Sequence, residues 1–199
     1  MKSLFRVITL GLLITFFFAA CAKQPTQEMD NAKSAVETVK KAGAEIYAKD
    51  EFKKLNDDLT AALDEVTAQS KKLFKGYGKA KEMLANVKTE ADNLVPTIAQ
   101  RKEEAKKAAL AAQPEAAAAV AEAKAYLKKA PKGKGTRADI EAFTADLKAL
   151  EGSLLEVQKA IDAEDYYGAA DKAKAIKEKA AGISDQIKKA IEKVKGRKK

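Results

Sequence analysis

The chain has 199 residues, a formal net charge of +9 and 34% charged residues, with no histidine, no tryptophan and a single cysteine, Cys21. These counts exclude a disulfide within the chain and a metal site built from histidine and cysteine. They also exclude catalysis by a histidine base or by any cysteine beyond Cys21. The length suffices for one domain or two small ones, held together by packing alone.

The first 20 residues have the pattern of a secretory signal. Lys2 and Arg6 supply positive charge, and the 14 residues from Val7 to Ala20 are uncharged and largely apolar. This stretch falls short of the roughly 20 residues that a membrane-spanning helix needs. A charged start, a short apolar segment and small residues at its end predict a signal peptide over residues 1–20.

The end of this segment, Phe18-Ala19-Ala20-Cys21, resembles the lipobox of bacterial lipoproteins, although Phe18 stands where leucine is usual. The resemblance implies that Cys21 receives a thioether-linked diacylglycerol, becomes the N-terminus by cleavage and is then N-acylated. Such acyl chains hold a protein on a membrane with about 0.8 kcal/mol per buried methylene. Ala22 stands where a retained inner-membrane lipoprotein has aspartate, which implies the outer membrane, facing the periplasm. The alternatives are an ordinary signal peptide and an uncleaved anchor.

After a short lipidated tether, residues 21–28, helix-favouring alanine, lysine, glutamate and leucine dominate, and no run alternates like a strand. Apolar residues recur every three or four positions, the spacing of helices that pack in coiled-coil fashion. The sequence therefore predicts an all-α protein, an elongated antiparallel helical bundle that folds without a cofactor. The first two stretches of the pattern run through Met29, Ala32, Val36, Val39, Gly43 and Ile46, and through Phe52, Leu55, Leu59, Ala62, Val66, Gln69 and Leu73.

Local signals place the ends of the helices. Asp50 is a candidate N-cap, and Thr136 with Asp139 has the spacing of a capping box. Glycine-containing stretches at 74–78 and 162–168 predict connections between helices. A further loop is predicted at 131–136.

Two prolines fall inside otherwise helical stretches. Pro96 and Pro114 each lack a backbone N–H, and a proline within a helix costs roughly 3 kcal/mol when nothing compensates. The long segment from Tyr77 to Lys129 is therefore expected to form two or three helical pieces.

Similar stretches recur about 90 residues apart. "VKKAG" (39–43) resembles "LKKAP" (127–131), and "YGKA" (77–80) resembles "YGAA" (167–170). One interpretation is a duplication into two three-helix repeats, helical unit 1 at 29–113 and helical unit 2 at 114–199 with a basic C-terminal tail. The other is chance similarity between alanine-rich helices.

The first half also resembles an uncharacterised helical domain of bacterial envelope lipoproteins. The similarity lies in "AGAEIYAKDEF" (42–52), the leucine pattern that follows and "YGKAKEML" (77–84), and it covers roughly residues 30–110. This resemblance implies a helical periplasmic domain and supplies no catalytic residues.

Two basic patches are the candidate binding sites. They contain Lys128, Lys129, Lys132, Lys134 and Arg137, and Lys195, Arg197, Lys198 and Lys199. Behind a secretion signal, the available anionic partners are acidic lipid, lipopolysaccharide and cell-wall glycan rather than nucleic acid. A solvated, frayed terminus is the alternative for the second patch.

No pattern predicts a catalytic or metal-binding site, because the carboxylates lie among lysines at helical spacing. The expected function is that of a membrane-anchored envelope lipoprotein with a scaffolding or protein-interaction role. Its partners would be the membrane, through the lipid anchor, and other envelope proteins. An anion-binding module that uses the basic patches is the alternative. Tyr77, Tyr166 and Tyr167 are interpreted as aromatic plugs at helix turns, with a binding platform as the second interpretation.

The lipid anchor gives the first testable prediction. In the mature protein, mass spectrometry of the membrane fraction should find an acylated N-terminal peptide that begins at Cys21. Cys21→Ser should release or mis-process the protein, because serine has no thiol to alkylate. An unmodified Cys21 in the native protein would contradict this prediction.

Overall fold

The structure, a computed structural model, describes residues 23–131 and 136–196, and side chains as far as residue 193. Helices and the turns between them make up these ranges, and no strand occurs there, so the predicted all-α bundle class is confirmed. The helices are α1 (Thr26–Lys41), α2 (Ala44–Tyr47), α3 (Lys49–Ser70), α4 (Gly78–Lys129), α5 (Arg137–Asp162) and α6 (Tyr166–Gly196). None of these helices carries an apolar stretch long enough to cross a bilayer. The predicted signal peptide and Cys21 lie outside the described residues.

The described residues divide into two compact units, one that ends at Ala99 and one that begins at Gln100, here called unit 1 and unit 2. The division falls within α4, which contributes its first part to unit 1 and the remainder to unit 2. The boundary expected from the sequence, between residues 113 and 114, lies within the same helix. Each unit is therefore built from three main helical segments.

The core of unit 1 forms where apolar stripes of α1, α3 and the first part of α4 meet. Ion pairs give the helix directions: Lys54 pairs with Glu90 at 3.0 Å and Lys79 with Glu65 at 3.5 Å, so α3 and α4 run antiparallel. Many of the buried residues are alanines, which let the helix backbones approach closely. The buried residues are Ala32, Val36 and Val39 on α1, Leu55, Ala62 and Val66 on α3, and Ala80, Leu84, Val87, Ala91 and Ile98 on α4.

The core of unit 2 has the same construction. Lys124 of α4 pairs with Glu151 of α5 at 2.6 Å, and Glu115 of α4 pairs with Lys177 of α6 at 2.8 Å. Buried alanines again alternate with larger apolar side chains along the stripes. The buried residues are Ala105, Ala109, Ala116, Val120 and Ala123 on α4, Leu147, Leu150, Val157 and Ala160 on α5, and Ala169, Ala173, Ile176, Ala180, Ile183 and Ile187 on α6.

The prediction that prolines divide the long helix is wrong, because α4 continues through Pro96 and Pro114. Both prolines are exposed, and so are Asp92 and Leu110, the residues four positions earlier. The carbonyl groups that lose their helical partner are those of Asp92 and Leu110. At the exposed surface these carbonyls can bond to water, which lowers the cost of each proline.

The apolar pattern also fails at the end of α1, where Gly43 and Ile46 were expected in the core. The chain leaves the helix at Lys41, and Gly43 has a left-handed φ of 100°, which glycine adopts without a steric penalty. This turn changes the register, so that Tyr47 is 4% exposed whereas Ile46 is 44% exposed.

The predicted side-chain caps are not formed. Asp50 is the second residue of α3 and does not precede it. The Thr136 hydroxyl donates to the Pro131 carbonyl at 2.7 Å and does not cap α5. The observed cap lies at α6, where the N–H of Gly168 donates to Oδ1 of Asp165 at 3.0 Å, inside the predicted connection 162–168.

Core packing in unit 2 gives a stability prediction. Leu147 is 2% exposed, so Leu147→Ala should lower the free energy of unfolding by about 2–5 kcal/mol. Leu155→Ala is the matched control on the same helix: Leu155 is 66% exposed, and the change should stay within about 0.5 kcal/mol. Leu154 lies seven residues after Leu147 on the same helix but is only half-buried, so the loss of unfolding free energy in Leu154→Ala should lie between the other two. Urea unfolding followed by circular dichroism measures all three. An equal loss of unfolding free energy in Leu147→Ala and Leu155→Ala would contradict the observed burial.

Candidate functional site

The structure brings part of the first predicted basic patch to the connection between α4 and α5. Lys128 and Lys129 occupy the last turn of α4 and are exposed. Arg137 begins α5, with Nε 2.9 Å from Oε1 of Glu141. Lys132, Lys134, Arg197, Lys198 and Lys199 lie outside the described residues, and Lys195 belongs to α6 without a described side chain.

Lys128 also lines a cleft of about 490 Å³ between α4 and α5, here called the basic cleft. Lys124 and Lys148 share this cleft, and Nζ of Lys124 is 2.6 Å from Oε1 of Glu151. Three lysines and one glutamate thus share the lining of this cleft with apolar side chains. The lining residues are Lys124, Leu127, Lys128, Ile140, Thr144, Leu147, Lys148 and Glu151.

Sequence reasoning missed Lys124 and Lys148 as members of this site. Each lies on a lysine-bearing helix surface that resembles every other one in the chain. The spacing of Lys124 and Lys128, four residues apart, was the one available signal, since it places both on one helical face. Only the packing of α5 against α4 brings Lys148 to them.

A second cleft, of about 370 Å³, lies in unit 1 between α3 and α4 and is here called the unit 1 cleft. Lys54 at its edge donates to Oδ2 of Asp58 at 2.6 Å and to Oε2 of Glu90 at 3.0 Å. These hydrogen bonds, to Asp58 first and to Glu90 second, raise the pKa of Lys54 above its ordinary value. Lys54 thus joins two helices by ion pairs. The lining residues are Glu51, Lys54, Leu55, Glu90, Asn93, Leu94 and Thr97.

The interior of the described residues is built for packing. Apart from Ser184, the buried side chains there are apolar or tyrosine. No group of three or more carboxylates in that part of the chain is arranged to hold a metal ion. The carboxylates whose pKa is lowered are exposed or half-buried and bond to lysine or glutamine, as Glu156 bonds to Lys159 and Glu65 to Gln69. These contacts are those of surface ion pairs.

One end of unit 1 has an unusual composition. α3 stops at Ser70, and the connection to α4, Lys71–Tyr77, is here called the basic apolar loop. The prediction that the apolar pattern continues to Leu73 is wrong, since Leu73 is 86% exposed and Phe74 is 76% exposed. α3 has already ended, so neither side chain can follow its buried stripe.

The same end of unit 1 carries the start of α1. Nζ of Lys81, in the first turn of α4, is 2.7 Å from Oε1 of Glu28, in the first turn of α1. The basic apolar loop leads directly into that turn of α4. The start of α1 and the loop therefore lie at the same end of unit 1.

The tyrosines at the helix turns differ in exposure. Tyr77 is 4% exposed and Tyr166 is 5% exposed, so each closes the base of a turn and neither offers a ring face to a ligand. Tyr167 is 44% exposed. The burial of Tyr77 and Tyr166 agrees with their interpretation as turn plugs, whereas that interpretation is wrong for Tyr167.

Comparisons of the chain with protein-family models, with curated proteins and with solved structures found no match. What the clefts and the loop can do is therefore derived from their own residues.

The contact between Glu28 and Lys81 gives a pH prediction. The hydrogen bond from Lys81 is the largest cause that lowers the pKa of Glu28 below its ordinary value of 4.5. The tie therefore stabilises the fold above the unfolded pKa and is lost as the pH falls through the lower folded pKa. In an NMR titration, Lys81→Met should raise the pKa of Glu28, whereas Lys88→Met, which removes the pair with Asp92, should not. If the pKa of Glu28 were the same in Lys81→Met as in the parent protein, the placement of α1 beside α4 would be contradicted.

Proposed function

We propose that the chain is a membrane-anchored helical lipoprotein of the bacterial cell envelope with a structural, interaction-based role. The observation that carries this proposal is where the fold begins. Pro25 is already buried and α1 starts at Thr26, so only residues 22–24 separate Cys21 from packed structure. That length of chain spans at most about 15 Å. A lipid on Cys21 would therefore hold unit 1 close to the membrane surface.

The packed interior and the open clefts of the described residues support a role in binding other molecules at the surface. The described interior is occupied by packed apolar side chains, and the clefts of both units are open to solvent and lined partly by leucine or isoleucine. Such clefts accept side chains or acyl chains of a partner. The proposal assigns no reaction, no cofactor and no nucleic acid, and it places the protein at the outer membrane on the strength of Ala22.

A second candidate function is the binding of an anionic ligand. The basic cleft favours it, because Lys124, Lys128 and Lys148 border a floor that contains Leu127 and Ile140. A negatively charged head group with an attached apolar chain matches both parts of this lining. Acidic lipid and lipopolysaccharide have that chemistry.

Site-specific photocrosslinking in intact membranes separates the two functions. A photoreactive residue replaces Thr97 in the unit 1 cleft or Thr144 in the basic cleft. The control position is Thr60, which is exposed on α3 and lines neither cleft. All three changes replace threonines on helices, so differences in yield report the surroundings.

An interaction role predicts discrete protein adducts at Thr97 that persist in 1 M salt, because contacts in an apolar groove resist screening. Anion binding predicts lipid or polymer adducts at Thr144 that fade as the Debye length falls from about 10 Å at 0.1 M to about 3 Å at 1 M salt. Yields at both positions no higher than at Thr60 would contradict both functions.

A further inference from the structure

The basic apolar loop exposes two large apolar side chains beside a cluster of positive charge. Leu73 and Phe74 are 86% and 76% exposed, and the flanking Lys71, Lys72 and Lys75 are exposed as well. Tyr77, at the end of the loop, is buried and ties it to the core of unit 1. The two apolar side chains are therefore presented outward from an anchored base.

The turn itself does not require these apolar residues. In unit 2, the corresponding connection between α5 and α6 consists of Ala163, Glu164 and Asp165. That connection is short and acidic and has no large apolar side chain. Two antiparallel helices of this kind can thus be joined without Leu73 and Phe74, whose exposure leaves apolar surface in water at a cost in free energy.

We propose that the basic apolar loop is a membrane-docking element, in which Leu73 and Phe74 insert into the interface of an anionic bilayer and Lys71, Lys72 and Lys75 contact the lipid phosphates. The combination of exposed apolar side chains with lysines favours an anionic bilayer as the partner of this loop. Apolar side chains enter the boundary between head groups and acyl chains, and lysines near an anionic surface add electrostatic attraction. A free anion would leave Leu73 and Phe74 in water.

The position of the loop also favours a membrane over a protein groove. The loop lies at the end of unit 1 where α1 begins, as the contact between Glu28 and Lys81 shows. This is the end that a lipid on Cys21 would hold at the membrane. In this respect the inference deepens the proposed function, but docking by the loop does not itself require the acyl chains.

The loop can be tested without the lipid in a chain of residues 21–199 that carries Cys21→Ser and keeps every residue that the structure describes. The chain has no tryptophan, so Phe74→Trp creates a single fluorescent probe. With phosphatidylglycerol vesicles its emission should shift to the blue and be quenched by brominated acyl chains. Phosphatidylcholine vesicles should produce a weaker shift. Leu155→Trp, at an exposed position on α5, is the matched probe and should remain water-like.

Vesicle co-sedimentation then separates the two parts of the loop. Leu73→Ser combined with Phe74→Ser should weaken binding to both lipids at least about tenfold, since the inserted apolar area is lost. Replacing Lys71, Lys72 and Lys75 by glutamine should weaken binding to anionic vesicles by about tenfold or more and remove the preference over neutral ones. The matched control replaces three exposed lysines of α6, Lys172, Lys174 and Lys179, by glutamine and should bind nearly as the parent does. Circular dichroism confirms that each variant is folded.

The outcomes distinguish this inference from the lipoprotein proposal. Binding by the unlipidated chain that depends on the loop supports the inference even where Cys21 proves unmodified. The same Phe74→Trp probe in the lipidated protein, reconstituted in phosphatidylglycerol vesicles, gives the reverse test. If Cys21 is acylated but the tryptophan of Phe74→Trp still emits as it does in water, the inference is overturned, whereas the proposal of a lipid anchor is supported. Equal binding of all loop variants and the α6 control also overturns it, as does capture of the loop by a protein without any shift on vesicles.

Discussion

Burial of narrow apolar stripes holds this fold together, since the chain has a single cysteine and no histidine to form covalent or metal links. Many of the stripe residues are alanines, among them Ala32, Ala62, Ala91 and Ala180, each almost fully buried. An alanine buries little surface, so helices must approach closely and many contacts must add up. Each unit meets this demand with three main helical segments, in which larger side chains such as Leu84 or Ile187 fill the remaining space.

The described interior is used for packing, and the ion pairs and clefts of those residues lie at the surface. Some ion pairs connect helices, as Lys54 and Glu90 do between α3 and α4, and others lie within one helix, as Lys54 and Asp58 do. Such exposed pairs contribute little stability each. The clefts are better suited than the ion pairs to bind a partner, because they combine apolar and charged side chains. The basic cleft combines lysines with an apolar floor, whereas the unit 1 cleft combines Leu55 and Leu94 with a mixed rim of Glu51, Lys54 and Glu90.

The connections α3–α4 and α5–α6 have the same structural role but differ in the residues that they expose. Both join consecutive helices of a unit, and a buried tyrosine lies at the end of each, Tyr77 and Tyr166. Tyr166 follows a short acidic turn whose Asp165 caps α6. Tyr77 follows a longer basic one with Leu73 exposed, at the end of unit 1 where α1 begins. The proposed lipid on Cys21 and the proposed docking of this loop would therefore act at the same end of unit 1.

The sequence by itself determined the helical class, the apolar stripes and the approximate positions of two connections, because periodicity and glycine report local backbone preference. These connections were predicted at 74–78 and 162–168 and lie at 71–77 and 163–165. It also supplied the signal pattern around Cys21, which is the basis for the proposed lipid anchor. Tertiary structure decided where the stripes end, with Ile46 and Leu73 outside the core, since a periodic pattern shows which residues share a face but not where the chain turns. It kept α4 intact through Pro96 and Pro114, whose cost depends on solvent at the freed carbonyls. It also assembled the basic cleft, because Lys124 and Lys148 become neighbours only when two helices pack.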